Sequence, residues 1–154
     1  RVPFLVRWPG QAPAGTVNHT SIVTAVDLLP TFAEVGGATL PSGFVSDGQS
    51  LVSLFKGNTE NYHRNKPMFW EWRSPVRSER ASMLAVRDGD WKLFVHQHDG
   101  RVELYNLEVD EGETQNIASQ YPERVETLRQ LALDWHETLP VSPTTEAIST
   151  MRVR

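Results

Sequence analysis

Residues 82–107 read SMLAVRDGDWKLFVHQHDGRVELYNL, and this stretch decides the fold. It contains two Asp-Gly pairs, Asp88-Gly89 and Asp99-Gly100. Glycine takes the positive φ that tight hairpin turns demand, so each pair reads as a chain reversal. Between and around them lie apolar, β-branched and aromatic runs at residues 82–86, 91–96 and 102–107. These read as three successive strands. Working outward, Pro67-Met68-Phe69-Trp70-Glu71-Trp72 adds a strand before them. The four predict an antiparallel meander.

Downstream, Asp110-Glu111-Gly112-Glu113-Thr114-Gln115-Asn116 is a polar turn region. Tyr121-Pro122-Glu123 then opens a helix, with Pro in the first turn, where its missing N–H costs least, and an acid near the positive end. Val125, Leu128, Leu131, Ala132, Trp135 and Leu139 form an apolar stripe that predicts packing on the meander. Pro140 ends the helix, and residues 141–154 form a Ser/Thr-rich tail.

Upstream, residues 1–8 are an almost continuous apolar run, the pattern of a strand buried on both faces of a parallel sheet. Pro9-Gly10 stops it. Leu28, Leu29, Phe32, Ala33 and Val35 recur at helical spacing, with Thr24 or Asp27 as N-cap, Pro30 in the first turn and Gly36-Gly37 as the stop. Residues 50–55 predict a short helix and residues 58–66 an exposed loop. The class is α+β. The expected organisation is a strand–helix segment at 1–57, the sheet with its helix at 58–140, and a tail at 141–154.

Composition narrows the function. The 154 residues carry 15 Lys plus Arg against 19 Asp plus Glu, a net charge of −4, and no Cys. That balance is a poor partner for nucleic acid. The lack of Cys excludes disulfides and thiolate metal sites. No apolar run approaches the ~20 residues that span a bilayer. The chain opens on Arg1 without an initiator Met, and the expectation is that its length is that of a piece.

Candidate chemistry is sparse. His96 and His98 are two apart on a predicted strand, so both imidazoles are expected on one face. They read as metal ligands, as contacts for an acidic ligand, or as histidines at a strand end. Phe69-Trp70-Glu71-Trp72-Arg73 reads as a sugar or aryl platform, or as alternate residues packed under the C-terminal helix. In the second reading Phe69 or Trp70 is core. Asp110, Glu111 and Glu113 lack the spacing of an EF-hand loop and read as turn residues. Asn18-His19-Thr20 matches the N-glycosylation acceptor pattern, which also arises by chance. No Gly-x-Ser-x-Gly elbow or phosphate loop is present, so the residues by themselves name no reaction.

The words of the sequence resemble a family. Arg1-Val2-Pro3-Phe4-Leu5-Val6-Arg7-Trp8-Pro9-Gly10, Pro13-Ala14-Gly15, Val26-Asp27-Leu28-Leu29-Pro30-Thr31 and Asp47-Gly48-Gln49-Ser50-Leu51 look like the late portion of type I sulfatases of the arylsulfatase class, in the alkaline phosphatase superfamily. Ala85-Val86-Arg87-Asp88-Gly89-Asp90-Trp91-Lys92-Leu93, Glu103-Leu104-Tyr105-Asn106-Leu107 and Asp110-Glu111-Gly112-Glu113-Thr114-Gln115-Asn116-Ile117-Ala118 continue it in family order. Glu111 stands where the family usually has Pro.

The resemblance implies a large N-terminal α/β domain that carries the chemistry and a small C-terminal sheet with one helix. Residues 1–57 would then be the last strand and helix of that missing domain. It implies a formylglycine nucleophile, made from Cys or Ser in a Cys/Ser-x-Pro-x-Arg motif, and a Ca²⁺ ion held by carboxylates and an Asn. This chain has no Cys, and Ser74-Pro75-Val76-Arg77 has its Pro one place too early. No catalytic or metal residue is therefore carried over, and the chain alone is expected to be inactive. In the family the C-terminal subdomain walls the cleft, which makes Trp70, Glu71, Trp72, Arg73, His96 and His98 the candidate substrate contacts. The implied partners are the N-terminal catalytic domain and a sulfated small molecule or glycan. An unpaired first strand implies a second copy or strand exchange. The resemblance places the parent in the periplasm, the secreted fraction or the lysosome. The competing readings are a free-standing binding domain that reuses the sheet and part of a phosphoester or phosphonate hydrolase.

Overall fold

The computed structural model describes residues 3–60, 62–72 and 83–140. The chain divides into two compact units, Arg1–Pro67 and Met68–Arg154.

The second unit is the predicted meander. Strands β1 (Met68–Trp72), β2 (Met83–Asp88), β3 (Trp91–His96) and β4 (Val102–Asn106) form one antiparallel sheet in the order β1-β2-β3-β4. Asp88 pairs with Trp91, so Gly89 and Asp90 form a two-residue turn. Gly89 supplies the required φ of 58°. The second reversal is longer. His96 N–H donates to Arg101 O and Gly100 N–H to His96 O, each at 2.9 Å, so residues 97–100 make the loop.

After β4, the turn at residues 110–116 is built around Asp110. Its carboxylate accepts the backbone N–H groups of Thr114 and Gln115 at 2.9 Å and the Thr114 hydroxyl at 2.9 Å. Those N–H bonds hold the Asp110 carboxyl below the usual range. Asn116 then stitches the turn to β4 by accepting the Leu104 N–H at 3.1 Å.

A helix over Pro122–Glu137 lies on one face of the sheet. Leu128 and Ala132 are buried with Leu84, Val86, Leu93, Val95 and Leu104, and Val125, Leu131 and Trp135 pack around them. The predicted stripe is the buried stripe. Phe69 stacks on Trp135 at 5.1 Å between ring centroids, so Phe69 is the core aromatic of β1.

The first unit differs from expectation in one respect, the loop at residues 58–66. Residues 3–8 join no sheet among the described residues, and Leu5 is 92% exposed. A strand forms its ladder only when a neighbour completes its hydrogen bonds, and no described strand lies beside this run. It is held instead by Phe4, whose ring stacks on Phe55 at 6.0 Å.

The first unit holds two helices, which we label α1 (Leu28–Val35) and α2 (Val52–Phe55); the C-terminal helix is α3. Helix α1 has the predicted extent, and Gly37 closes it at a φ of 64°. Leu29, Phe32 and Val35 of its apolar set are 52%, 63% and 47% exposed, while Leu28 and Ala33 are half-buried. Its one fully buried residue, Thr31, is polar, and so is its buried N-cap, Asp27.

The cause is a polar centre. The Asp27 carboxylate accepts from Arg64 Nη1 with both oxygens at 2.8 Å, from Gln49 N–H at 3.0 Å and from Thr24 N–H at 2.8 Å. The Thr31 hydroxyl donates to Asp27 O and accepts the buried Leu51 N–H at 2.9 Å. A buried carboxylate with this many donors is satisfied where an unpaired one would be costly.

The difference from expectation is the loop at residues 58–66. It is exposed over much of its length, but Arg64 dives into the centre with its side chain 6% exposed. Lys66 Nζ caps Gly48 O at 3.0 Å. Gly48 is required sterically, because a Cβ there would sit 2.1 Å from Val26 O. The sequence words around Asp27, Thr31, Gly48 and Leu51 are thus one polar lock.

Candidate functional site

Alternation along the strands sorts the meander into two faces. Phe69, Leu84, Val86, Leu93, Val95 and Leu104 turn toward α3. Their neighbours turn away. Pairing register places Trp70, Ala85, Phe94 and Glu103 in one row across the four strands. Trp72, Met83 and His96 form the next row.

Trp70 and Trp72 are 42% and 59% exposed there. With Glu71, Met83, Ala85, Lys92 and Phe94 they line a shallow groove of about 260 Å³. Lys92 Nζ lies 4.5 Å from the centroid of the Phe94 ring and 2.6 Å from Glu113 Oε1. The groove therefore offers indole and benzyl surface beside an ammonium group held in place by a carboxylate.

One side of this face is a polar cluster. His96 Nε2 is 3.1 Å from Glu103 Oε1, Arg101 Nη1 is 3.4 Å from the same oxygen, and the Tyr105 hydroxyl donates to Glu103 Oε2 at 2.9 Å. Partial burial raises the Glu103 pKa. Hydrogen bonds from Tyr105 and His96, with the charges of His96 and Arg101, outweigh that and hold it below the usual range. Burial, then the Glu103 carboxylate, push Tyr105 up to about 12.

The six candidate contacts separate. Trp70, Trp72 and His96 share the helix-free face. Glu71 also borders the groove, but its carboxylate turns toward α3, with Oε1 3.1 Å from His136 Nε2. Arg73 lies outside the described residues. His98 is exposed in the loop at residues 97–100, so the two histidines are not on one strand face. The period of two ends where the backbone reverses after His96, and with it the expected His-x-His pair. Among the described residues, no three His, Cys, Asp or Glu side chains gather to hold a metal ion.

Lys92 and Phe94 escaped the sequence reading. Their signal was the even-numbered alternation they share with His96 on β3, which becomes informative once β1 is known to pair through β2. The arrangement offers aromatic surface on which an apolar ring face can stack, beside an ammonium group that can meet an anionic or hydroxyl substituent.

A family model described as N-sulphoglucosamine sulphohydrolase, C-terminal, matches residues 1–138. A sulfatase of Formosa agariphila is 36% identical over 129 residues, covering 79% of this chain and 23% of the relative. Arylsulfatase G of Mus musculus is 28% identical over 145 residues, covering 85% of this chain and 27% of the relative. Among solved structures, Ps i-CgsB in complex with k-i-k-neocarrahexaose aligns with a TM-score of 0.66 at 27% identity, over 83% of this chain and 27% of that one. BT4656, solved with its substrate D-glucosamine-2-N,6-O-disulfate, shares the fold at a TM-score of 0.62 and 23% identity, over 85% of this chain and 27% of that one. The chain thus spans about a quarter of the length of these relatives. With residues 1–138 of 154 inside the family match and the meander-plus-helix in place, the chain belongs to the N-sulphoglucosamine sulphohydrolase C-terminal family of sulfatases.

Proposed function

We propose that this chain works as the C-terminal part of an enzyme that hydrolyses sulfate esters of sugars, and that the face bearing Trp70 and Trp72 is a wall of its substrate cleft. The observation that carries the reading is the family match over residues 1–138 on a chain about a quarter as long as its relatives. Two of the similar structures were solved with a substrate or an oligosaccharide, which favours a sugar sulfate over a simple aryl sulfate. Trp70, Trp72 and Phe94 suit a sugar face, and Lys92 suits its sulfate.

The residues here do not fit the remaining chemistry. The sequence has no Cys, and the described residues gather no ligand set for Ca²⁺. Formylglycine and the ion are assigned in this proposal to a catalytic α/β portion outside these 154 residues. The outward apolar face of α1 supports such a partner, since Leu29, Phe32 and Val35 are otherwise left to water.

The test has two arms. The purified chain, given a sulfated glucosamine or sulfated galactan oligosaccharide with Ca²⁺, releases no sulfate above background. Metal-dependent turnover by the chain alone would overturn the assignment. In the second arm the same oligosaccharides are titrated by tryptophan fluorescence. Quenching that Trp72→Ala weakens several-fold supports the cleft wall, and unchanged binding in Trp70→Ala and Trp72→Ala removes that face from the reading.

A further inference from the structure

We propose that Asn18 is an N-glycosylation acceptor, a modification site independent of the sulfatase reading. Asn18-His19-Thr20 is the sole Asn-x-Ser/Thr triplet in the chain: Asn58, Asn61, Asn65, Asn106 and Asn116 lack a hydroxyl residue two places on. The triplet lies in an irregular stretch of the first unit, between residues 16 and 24, that joins no helix or strand. Asn18, His19 and Thr20 are all exposed, and the preceding Val17 is 75% exposed. None of the three is buried by the first unit, which leaves room there for a pendant oligosaccharide.

The hydrogen bonds of the loop matter more than exposure alone. Asn18 Oδ1 accepts the Thr20 N–H at 2.9 Å and the Ser21 N–H at 2.8 Å, folding the triplet into an Asx turn. The Thr20 hydroxyl lies 3.4 Å from the same oxygen. Nδ2 makes one bond, to Ser21 Oγ at 3.0 Å. A primary amide carries two N–H groups, and one is left over.

Modification replaces one of the two Nδ2 hydrogens. The co-reactant is a polyprenyl diphosphate oligosaccharide, with the transferase of a eukaryotic secretory pathway. Asn18 Nδ2 bonds to the anomeric carbon, the carbon–oxygen bond to the diphosphate breaks, Nδ2 loses one proton, and the lipid diphosphate leaves with the bonding electron pair. No oxidant or reductant is needed. The secondary amide keeps its oxygen for the Thr20 and Ser21 N–H groups, so the two bonds that fold the Asx turn survive modification.

The experiment expresses the full 154-residue chain behind a secretory leader in yeast or mammalian cells and reads intact mass. The expected product is heavier by one N-glycan, loses it to peptide N-glycosidase, and is left with Asp at position 18. Asn18→Gln and Thr20→Ala give only the unmodified mass, while Thr20→Ser stays modified. A secreted wild-type chain of unmodified mass overturns the proposal, as does a glycan that persists in Asn18→Gln. The enzyme-released product and a bacterially made chain serve as mass references. A glycosylated chain that melts clearly below the bare one would show that the turn opens on modification, and would overturn the hydrogen-bond argument.

Discussion

Replacing Asp27 by Ala tests whether a polar lock, rather than an apolar core, holds the first unit together. The substitution removes the acceptor for Arg64 Nη1, Gln49 N–H and Thr24 N–H at once. Two unit charges 2.8 Å apart attract by about 6 kcal/mol at an effective dielectric of about 20, and most of that is offset by the cost of taking both from water. What remains on deletion is a guanidinium enclosed at 6% exposure with no carboxylate beside it. Breaking one side of a buried pair costs about 3–5 kcal/mol. Asp27→Ala is therefore expected to lower stability by that amount, in urea unfolding followed by hydrogen exchange at the amide of Leu51, whose partner is the Thr31 hydroxyl. Arg64→Met alone strands the carboxylate and costs a similar amount. The double variant Asp27→Leu/Arg64→Met removes both charges and is expected to cost clearly less than the sum of the singles. A loss below about 1 kcal/mol for Asp27→Ala, or strict additivity in the double variant, would refute the lock.

Two further outcomes follow from the second unit. Leu128 is 2% exposed in the helix–sheet core, so Leu128→Ala is expected to cost about 2–5 kcal/mol in thermal or urea unfolding. The Glu103–Tyr105 pair sets a pH dependence at both ends. The depressed Glu103 pKa stabilises the fold above the ordinary carboxylate range, and that stability is lost as pH falls through the folded value. Glu103→Gln is expected to flatten the acid limb of a stability–pH curve. The raised Tyr105 pKa stabilises below about 10 and is lost as pH rises toward about 12; burial also raises Tyr62, so phenolate absorbance should show two tyrosines ionising late, and Tyr105→Phe should abolish the step near 12.

The sequence by itself determined the elements written in short-range code. Two Asp-Gly pairs set the hairpins, because positive φ is a local property, and the stripe from Val125 to Trp135 set the face of α3 because helical period is local too. The family words were legible for the same reason, as linear patterns. Tertiary structure decided which surfaces met. Helix α1 buried Thr31 and its N-cap Asp27 rather than Leu29 and Phe32, with Arg64, 37 residues from Asp27, as the buried counter-charge. The strand period that put His96 and His98 on one face stopped at a reversal set by the Arg101 and Gly100 backbone. Trp70, not Phe69, faced the groove because the pairing of β1 with β2 placed it opposite Ala85 and in one row with Phe94. Periodicity identifies a face, but only the partner that arrives from elsewhere in the chain decides whether water or protein covers it.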